Sequence, residues 1–150
     1  MPVRIRQKVQ TVPRSTKLGT NSSRTHVVAG ILQDADDRIL IADRAQSKSM
    51  QEYWEFPGGK VDRGESAEAA LHRELAEELG IDIEAPLHFK RLTHDYPDLS
   101  VSIDFYLVRG WLGTPSGLEG QQIQWVSRSM LGAQNLLPAD APIIEALSDL

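Results

Sequence analysis

Three glutamates, Glu74, Glu77 and Glu78, are the side chains of this 150-residue chain whose spacing most suggests chemistry. On a helix turning about 100° per residue they share an arc roughly 100° wide, beside a stripe formed by Leu71, Leu75 and Leu79. The carboxylates thus lie at the rim of a packed helix, not diametrically opposite its core face. A glutamate-rich helix face is ordinarily just solvated. Here like charges at i,i+3 and i,i+4 oppose the helix by about 0.2–0.5 kcal/mol per pair, and no Lys or Arg four residues further on offsets them. Neighbouring carboxylates also raise one another's pKa unless a cation intervenes. Just upstream, Pro57-Gly58-Gly59-Lys60 reads as a flexible turn able to aim backbone carbonyls at the same place. Carboxylate and carbonyl oxygens are what Mg²⁺ accepts, with waters and substrate phosphates completing its octahedron.

The elements that must position these groups can be read on either side. Ser66 is a suitable N-cap for a helix running to about Leu79 and stopping at Gly80. Before it, His26–Leu32 and Ile39–Ala42 read as two strands of a hairpin joined through Ala35–Arg38. After it, Ile81–Arg91 and Val101–Val108 read as strands separated by Pro97-Asp98. Gly110–Gly120 reads as a loop and Ile123–Val126 as a short strand. A last helix begins near Asp140 and Pro142, with Ile143, Ile144 and Leu147 facing inward. Strands with two interspersed helices predict a layered α/β or α+β domain.

Composition narrows the function. With no cysteine, disulfides, thiolate metal sites and cysteine nucleophiles are excluded. That is compatible with a reducing cytosol, and a cytoplasmic location is the expectation. No run approaches eighteen apolar residues, so no membrane span is expected. Residues 1–24 carry six basic and no acidic side chains, and the remainder carries 10 basic against 21 acidic. An acidic body suits a divalent metal and a polyphosphate held through it, not duplex nucleic acid. We divide the chain into a basic extension, 1–24, and a domain, 25–150. The alternation Val3, Ile5, Val9 would allow an edge strand in the extension, and its arginines have some likeness to a transit peptide. His26, His72, His88 and His94 show no metal-ligand spacing.

Gly59, Glu65, Arg73-Glu74-Leu75, Glu77-Glu78 and Gly80-Ile81 together resemble a complete Nudix box. Seven fixed residue types would match by chance less than about once in 10⁷ chains of this length. The likeness extends over 25–150 and is greatest to the MutT-like nucleotide pyrophosphohydrolases. It is carried further by Trp54–Val61, Leu118-Glu119-Gly120-Gln121, Trp125-Val126 and Leu137–Pro142. The resemblance implies an α/β fold, an α/β/α sandwich around a mixed sheet, with the box as loop–helix–loop. It implies Mg²⁺, with Mn²⁺ a substitute, on Glu74, Glu77, Glu78, Glu119 and a carbonyl at Gly58. Glu65 and Arg73 would tie the loop to the helix and orient a catalytic glutamate. The implied reaction is substitution at phosphorus by a metal-activated water, with Glu74 or Glu119 as general base.

Arg44 matches an arginine such enzymes use on the nucleotide; otherwise it is an exposed strand-end residue. The implied activity is hydrolysis of nucleoside triphosphates to monophosphate and pyrophosphate, foremost cleansing of 8-oxo-dGTP. The alternatives are a (d)CTP or modified-pyrimidine pyrophosphohydrolase and a non-catalytic nucleotide-sensing module. Two positions bear on the base. Asp140 stands where the oxidised-guanine enzymes have asparagine, and Leu99 where they have arginine. An ionised Asp140 accepts from the cytosine amino group but repels O6 of 8-oxoguanine unless protonated. Its other reading is as the cap of the last helix.

Overall fold

The computed structural model describes residues 24–150. The edge strand and transit-peptide readings of the extension therefore fall outside the described residues. In chain order the elements are β1 (Thr25–Leu32), β2 (Arg38–Asp43), β3 (Trp54–Glu55), β4 (Gly58–Lys60), α1 (Ala67–Leu79) and β5 (Asp82–Glu84). There follow β6 (Leu87–Tyr96), β7 (Leu99–Val108), β8 (Gly110–Leu112), β9 (Ile123–Ser127), 3₁₀ turns at Arg128–Ala133 and Pro138–Asp140, and α2 (Ala141–Leu147).

Among the described residues three sheets form, in the orders β4-β1-β7-β6, β3-β2-β9 and β5-β8. The first is mixed: β1 runs parallel to β7 from Thr25↔Val101 to Leu32↔Val108 and antiparallel to β4. Period two divides β1 between two cores. Val28 and Leu32 meet Leu71, Leu75 and Leu79 of α1, whereas Val27, Ala29 and Ile31 meet Phe105, Ile143 and Leu147 on the α2 side. A helix on either side of a mixed sheet is the expected α/β/α arrangement. On the α1 side Trp111 and Trp125 stack, centroids 6.0 Å apart and planes 20° from parallel.

The structure departs from the sequence reading in three local ways. The β1–β2 turn forms, with Asp34 Oδ1 accepting from the backbone amides of Asp36 and Arg38, and Asp37 at φ 62°. Beyond the Gln33↔Ile39 bridge, however, the strands enter different sheets instead of making one hairpin. Both are nearly continuous apolar runs, and each buries two faces. Second, Ile81–Arg91 is not one strand: β5 ends at Glu84, Ala85 sits at φ 44°, and Pro86 precedes β6. Third, Gly110–Leu112, expected as loop, pairs with β5 as β8.

Candidate active site

Both ends of α1 are fixed as its sequence requires. Ser66 Oγ accepts from the Ala69 amide at 3.1 Å, and Gly80, at φ 72°, donates its amide to Ala76 O at 3.0 Å. A left-handed residue here favours glycine. The glutamates divide. Glu74 and Glu78 lie on the buried face with Ala70, Leu71, Leu75 and Leu79, at 1% and 2% exposure. The Glu77 side chain is 45% exposed.

Arg73 holds the first part of the site together. Its Nε and Nη2 donate to the two oxygens of Glu65, both at 2.8 Å, its Nη1 donates to Glu74 Oε2 at 2.9 Å, and Nη2 also reaches Lys60 O at 3.1 Å. Glu77 approaches the same guanidinium at 3.7 Å, so the offsetting cation lies four residues before Glu77. Asp62, which the sequence reading did not single out, donates its amide to Glu65 Oε1 and places its carboxylate 3.5 Å from Arg73. Arg73's hydrogen bonds hold the Glu65 carboxyl down to about 2, and the acids in turn hold the guanidinium charged. Glu65 and Arg73 thus join loop to helix in this structure.

Gly58 and Gly59 are not a turn. They belong to β4, paired with Ala29 and Val28, and neither has a positive φ. Their small size serves close approach instead. A Cβ on Gly58 would stand 1.9 Å from Val28 O, and one on Gly59 2.4 Å from the Glu74 carboxyl carbon. The Glu74 side chain lies directly against the strand.

Glu119 comes to α1 from 41 positions beyond Glu78 because the helix C-terminus needs donors. The amides of Ser116 and Leu118 donate to Leu79 O and Glu78 O at 3.1 and 3.0 Å, and Gln121 Nε2 donates to Glu78 O at 3.2 Å. Glu119 itself is exposed in this loop, and its charge acts on Glu78. Burial pushes the Glu78 carboxyl well above its usual range, with Glu55, Glu74 and Glu119 adding to the effect. Its Oε2 is buried without a hydrogen-bond donor. Among the described residues no three acidic or imidazole groups are arranged to hold a metal ion as they stand. The donor chemistry nonetheless fits a hard cation: an unbonded carboxylate oxygen among other carboxylates.

The other side of the site is built on β3. Arg44 is not an exposed strand-end residue but 4% exposed, and its Nη1 donates to Glu55 Oε1 at 2.9 Å. Its Nε and Nη2 donate to Met50 O and Ser49 O, closing the loop between β2 and β3. That uses three of the five guanidinium N–H groups. Asp140 does not cap α2: it has an αR backbone, makes no capping hydrogen bond and is 4% exposed. Its Oδ2 has no partner, and burial, reinforced by Glu55 and opposed by Arg44, holds its carboxyl well above the usual range. The Ala139 amide donates to Tyr96 Oη beside it. Leu99, paired with Tyr96 across the β6–β7 turn, packs half-buried against the core on this side. Ile144, expected inward, is also half-buried. The sequence reading overlooked Glu55; an acid between Trp54 and Phe56 was its only signal. His26 and His88 both bond Asp104, at 2.6 and 2.8 Å.

The chain matches the NUDIX domain family over residues 23–147 and belongs to it; it is a Nudix hydrolase. Within the family it is MutT-like. It is 41% identical over 121 residues to the 8-oxo-dGTP diphosphatase of Haemophilus influenzae, covering 81% of this chain and 89% of the relative. It is 35% identical over 124 residues to the CTP pyrophosphohydrolase of Escherichia coli, covering 83% and 91%. A solved structure of MutT, described for Aliivibrio salmonicida and Vibrio cholerae, superposes with a TM-score of 0.72 at 39% identity, covering 85% of this chain and 98% of that one. No helix among the described residues is long and apolar enough to cross a membrane.

Proposed function

We propose that the chain hydrolyses 8-oxo-dGTP to the monophosphate and pyrophosphate, with Mg²⁺ as its cofactor and Mn²⁺ as a substitute. The observation that carries the metal reading is the buried, unbonded Glu78 Oε2 among like charges. Glu74, Glu77, Glu78, Glu119 and the Gly58 carbonyl would hold the ion. When bound, it would neutralise phosphate charge and acidify a water. Either Glu74 or Glu119 takes the proton from the attacking water. Arg73, fixed by Glu65, orients Glu74.

Asp140 supports the oxidised purine. Burial raises its carboxyl, which favours the protonated form; in that form it would present a donor and an acceptor, as the asparagine amide does, and meet O6 and N7–H of 8-oxoguanine together. The second reading, a (d)CTP hydrolase, is favoured by the same residue when ionised and by the likeness to the CTP enzyme. Leu99 contributes an apolar wall and no charge. Phosphate release across a nucleotide panel, with and without Mg²⁺, tests the proposal. Preference for dCTP would install the second reading, and no metal-dependent turnover of any nucleotide would leave a binding module.

A further inference from the structure

The segment that presents Asp140 cannot tie itself down. It is a 3₁₀ turn, Pro138–Asp140, and the leading amides of such a turn have few partners within it. Pro138 has no N–H to satisfy, and the Asp140 amide donates to Leu137 O at 2.9 Å. That leaves Ala139, which is 3% exposed, so its amide cannot rely on water. A serine or aspartate at position 137 could accept from it, but Leu137 has no side-chain acceptor. The acceptor comes instead from 43 positions away: Tyr96 Oη, at 3.2 Å. Tyr96 is itself set by the sheet. It pairs with Leu99 across the β6–β7 turn, packs half-buried against the core, and lies against the His94 ring, centroids 4.4 Å apart. Burial pushes its hydroxyl up to about 12, so the acceptor stays uncharged through the neutral range.

We propose that Tyr96 is a positioning residue for base selection: its hydroxyl caps the Pro138–Asp140 turn from outside and so fixes where the Asp140 carboxyl meets the base. A phenylalanine here would keep the ring packing and lose the cap. A buried amide left without an acceptor is costly, so the turn would shift to find one and carry the next residue, Asp140, with it. The Leu137 amide, bonded to Trp54 O at 3.0 Å, would still hold the near end of the segment. The expected result is therefore a misplaced carboxyl on a folded domain. This rests on the reading of Asp140 as a base contact, which Asp140→Ala tests separately.

The test measures calorimetric Kd values for 8-oxo-dGMP and dCMP on the full chain with Mg²⁺ present, and reads their ratio. Asp140→Ala should bring that ratio about tenfold or more closer to one, and Tyr96→Phe should move it the same way by about three- to tenfold, the range of one weakened hydrogen bond. In the Asp140→Ala background, Tyr96→Phe should move it less than about twofold, because the two changes act through one contact. Leu137→Ser, which offers Ala139 a local cap, should return most of the lost preference to Tyr96→Phe. A ratio that moves in Asp140→Ala but not in Tyr96→Phe overturns the proposal and leaves the base reading standing. So does a Tyr96→Phe shift that persists without Asp140, or one that Leu137→Ser does not reverse. A merely structural hydroxyl would lower Tm and weaken both ligands equally, which also overturns it. An unchanged ratio in Asp140→Ala removes the base reading and this proposal together. Should Tyr96→Phe fail to fold, the protein carrying both Leu137→Ser and Tyr96→Phe decides: it must fold and select as the wild type does.

Discussion

Two arginines serve the acids of this site, and they serve them unequally. Arg73, itself partly exposed, meets Glu65, Glu74, Asp62 and Glu77, all within 11 residues of itself. Arg44, deeply buried, meets Glu55 and leaves one oxygen each on Glu78 and Asp140 with no hydrogen-bond partner. In the first region each acid has a cation beside it; in the second, two buried carboxyls keep an oxygen without a hydrogen-bond partner. The proposed base contact and one proposed metal ligand lie in the second.

The largest effects should come from proposed metal ligands in either region. Glu78→Gln and Glu77→Gln should each lower kcat by at least about 100-fold, equivalent to roughly 2.7 kcal/mol. For Glu78→Gln the metal-free Tm should hold or rise, because a buried charge has been removed. A Tm loss matching that of an Arg73 variant would erase the contrast.

Arg73→Lys should lower both quantities, with kcat falling about 10- to 100-fold, since a lysine cannot make the paired contact to Glu65 while holding Glu74. Acid titration sharpens this. Glu65 has a folded pKa below its unfolded value, so its stabilisation is full above the ordinary glutamate range and is lost as pH falls through about 2. Between about pH 5 and 2 the wild-type Tm should therefore fall further than that of Arg73→Lys.

Asp140→Asn should act on choice more than rate. It should raise kcat/KM for 8-oxo-dGTP relative to dCTP by up to about tenfold where Asp140 is ionised, and by little where it is protonated. The wild-type ratio should accordingly fall with rising pH and that of the variant should not. Stability carries the opposite sign to Glu65. A folded pKa raised above the unfolded one means that wild-type stability declines as pH rises past the ordinary aspartate range, and Asp140→Asn removes that decline. Flat, superimposable ratios would take Asp140 out of base recognition.

Smallest of all should be deletion of residues 1–24, which contain none of the proposed ligands: hydrolysis should stay within a few-fold. Loss of folding or activity on deletion would make the Val3–Val12 segment integral to the domain.

The same contrast explains what could be read without a structure. The Arg73 region is written locally: Ser66 and Gly80 bracket α1, the leucines face one way, and Glu65 lies one loop away from Arg73. Sequence spacing sufficed there. The Arg44 region spans the β2–β3 loop to Glu55 and reaches Asp140 only through strand pairing that no local pattern announces. At 100° per residue Glu78 adjoins the leucine stripe and Glu77 lies at the far end of the arc, which is the order of their burial. Spacing failed where two fates suit one pattern. Gly58 and Gly59 suggested freedom of backbone, while the fold uses them for lack of a side chain.

Trp54 has a use beyond the sheet it helps to hold. It is half-buried in the strand that carries Glu55 and touches the segment leading to Asp140, whereas Trp111 and Trp125 are stacked on the far side of the sheet. Its indole emission is a built-in optical reporter of the site. With Trp111→Phe and Trp125→Phe replaced, a metal or nucleoside titration followed by fluorescence would record from that one strand, with no label attached.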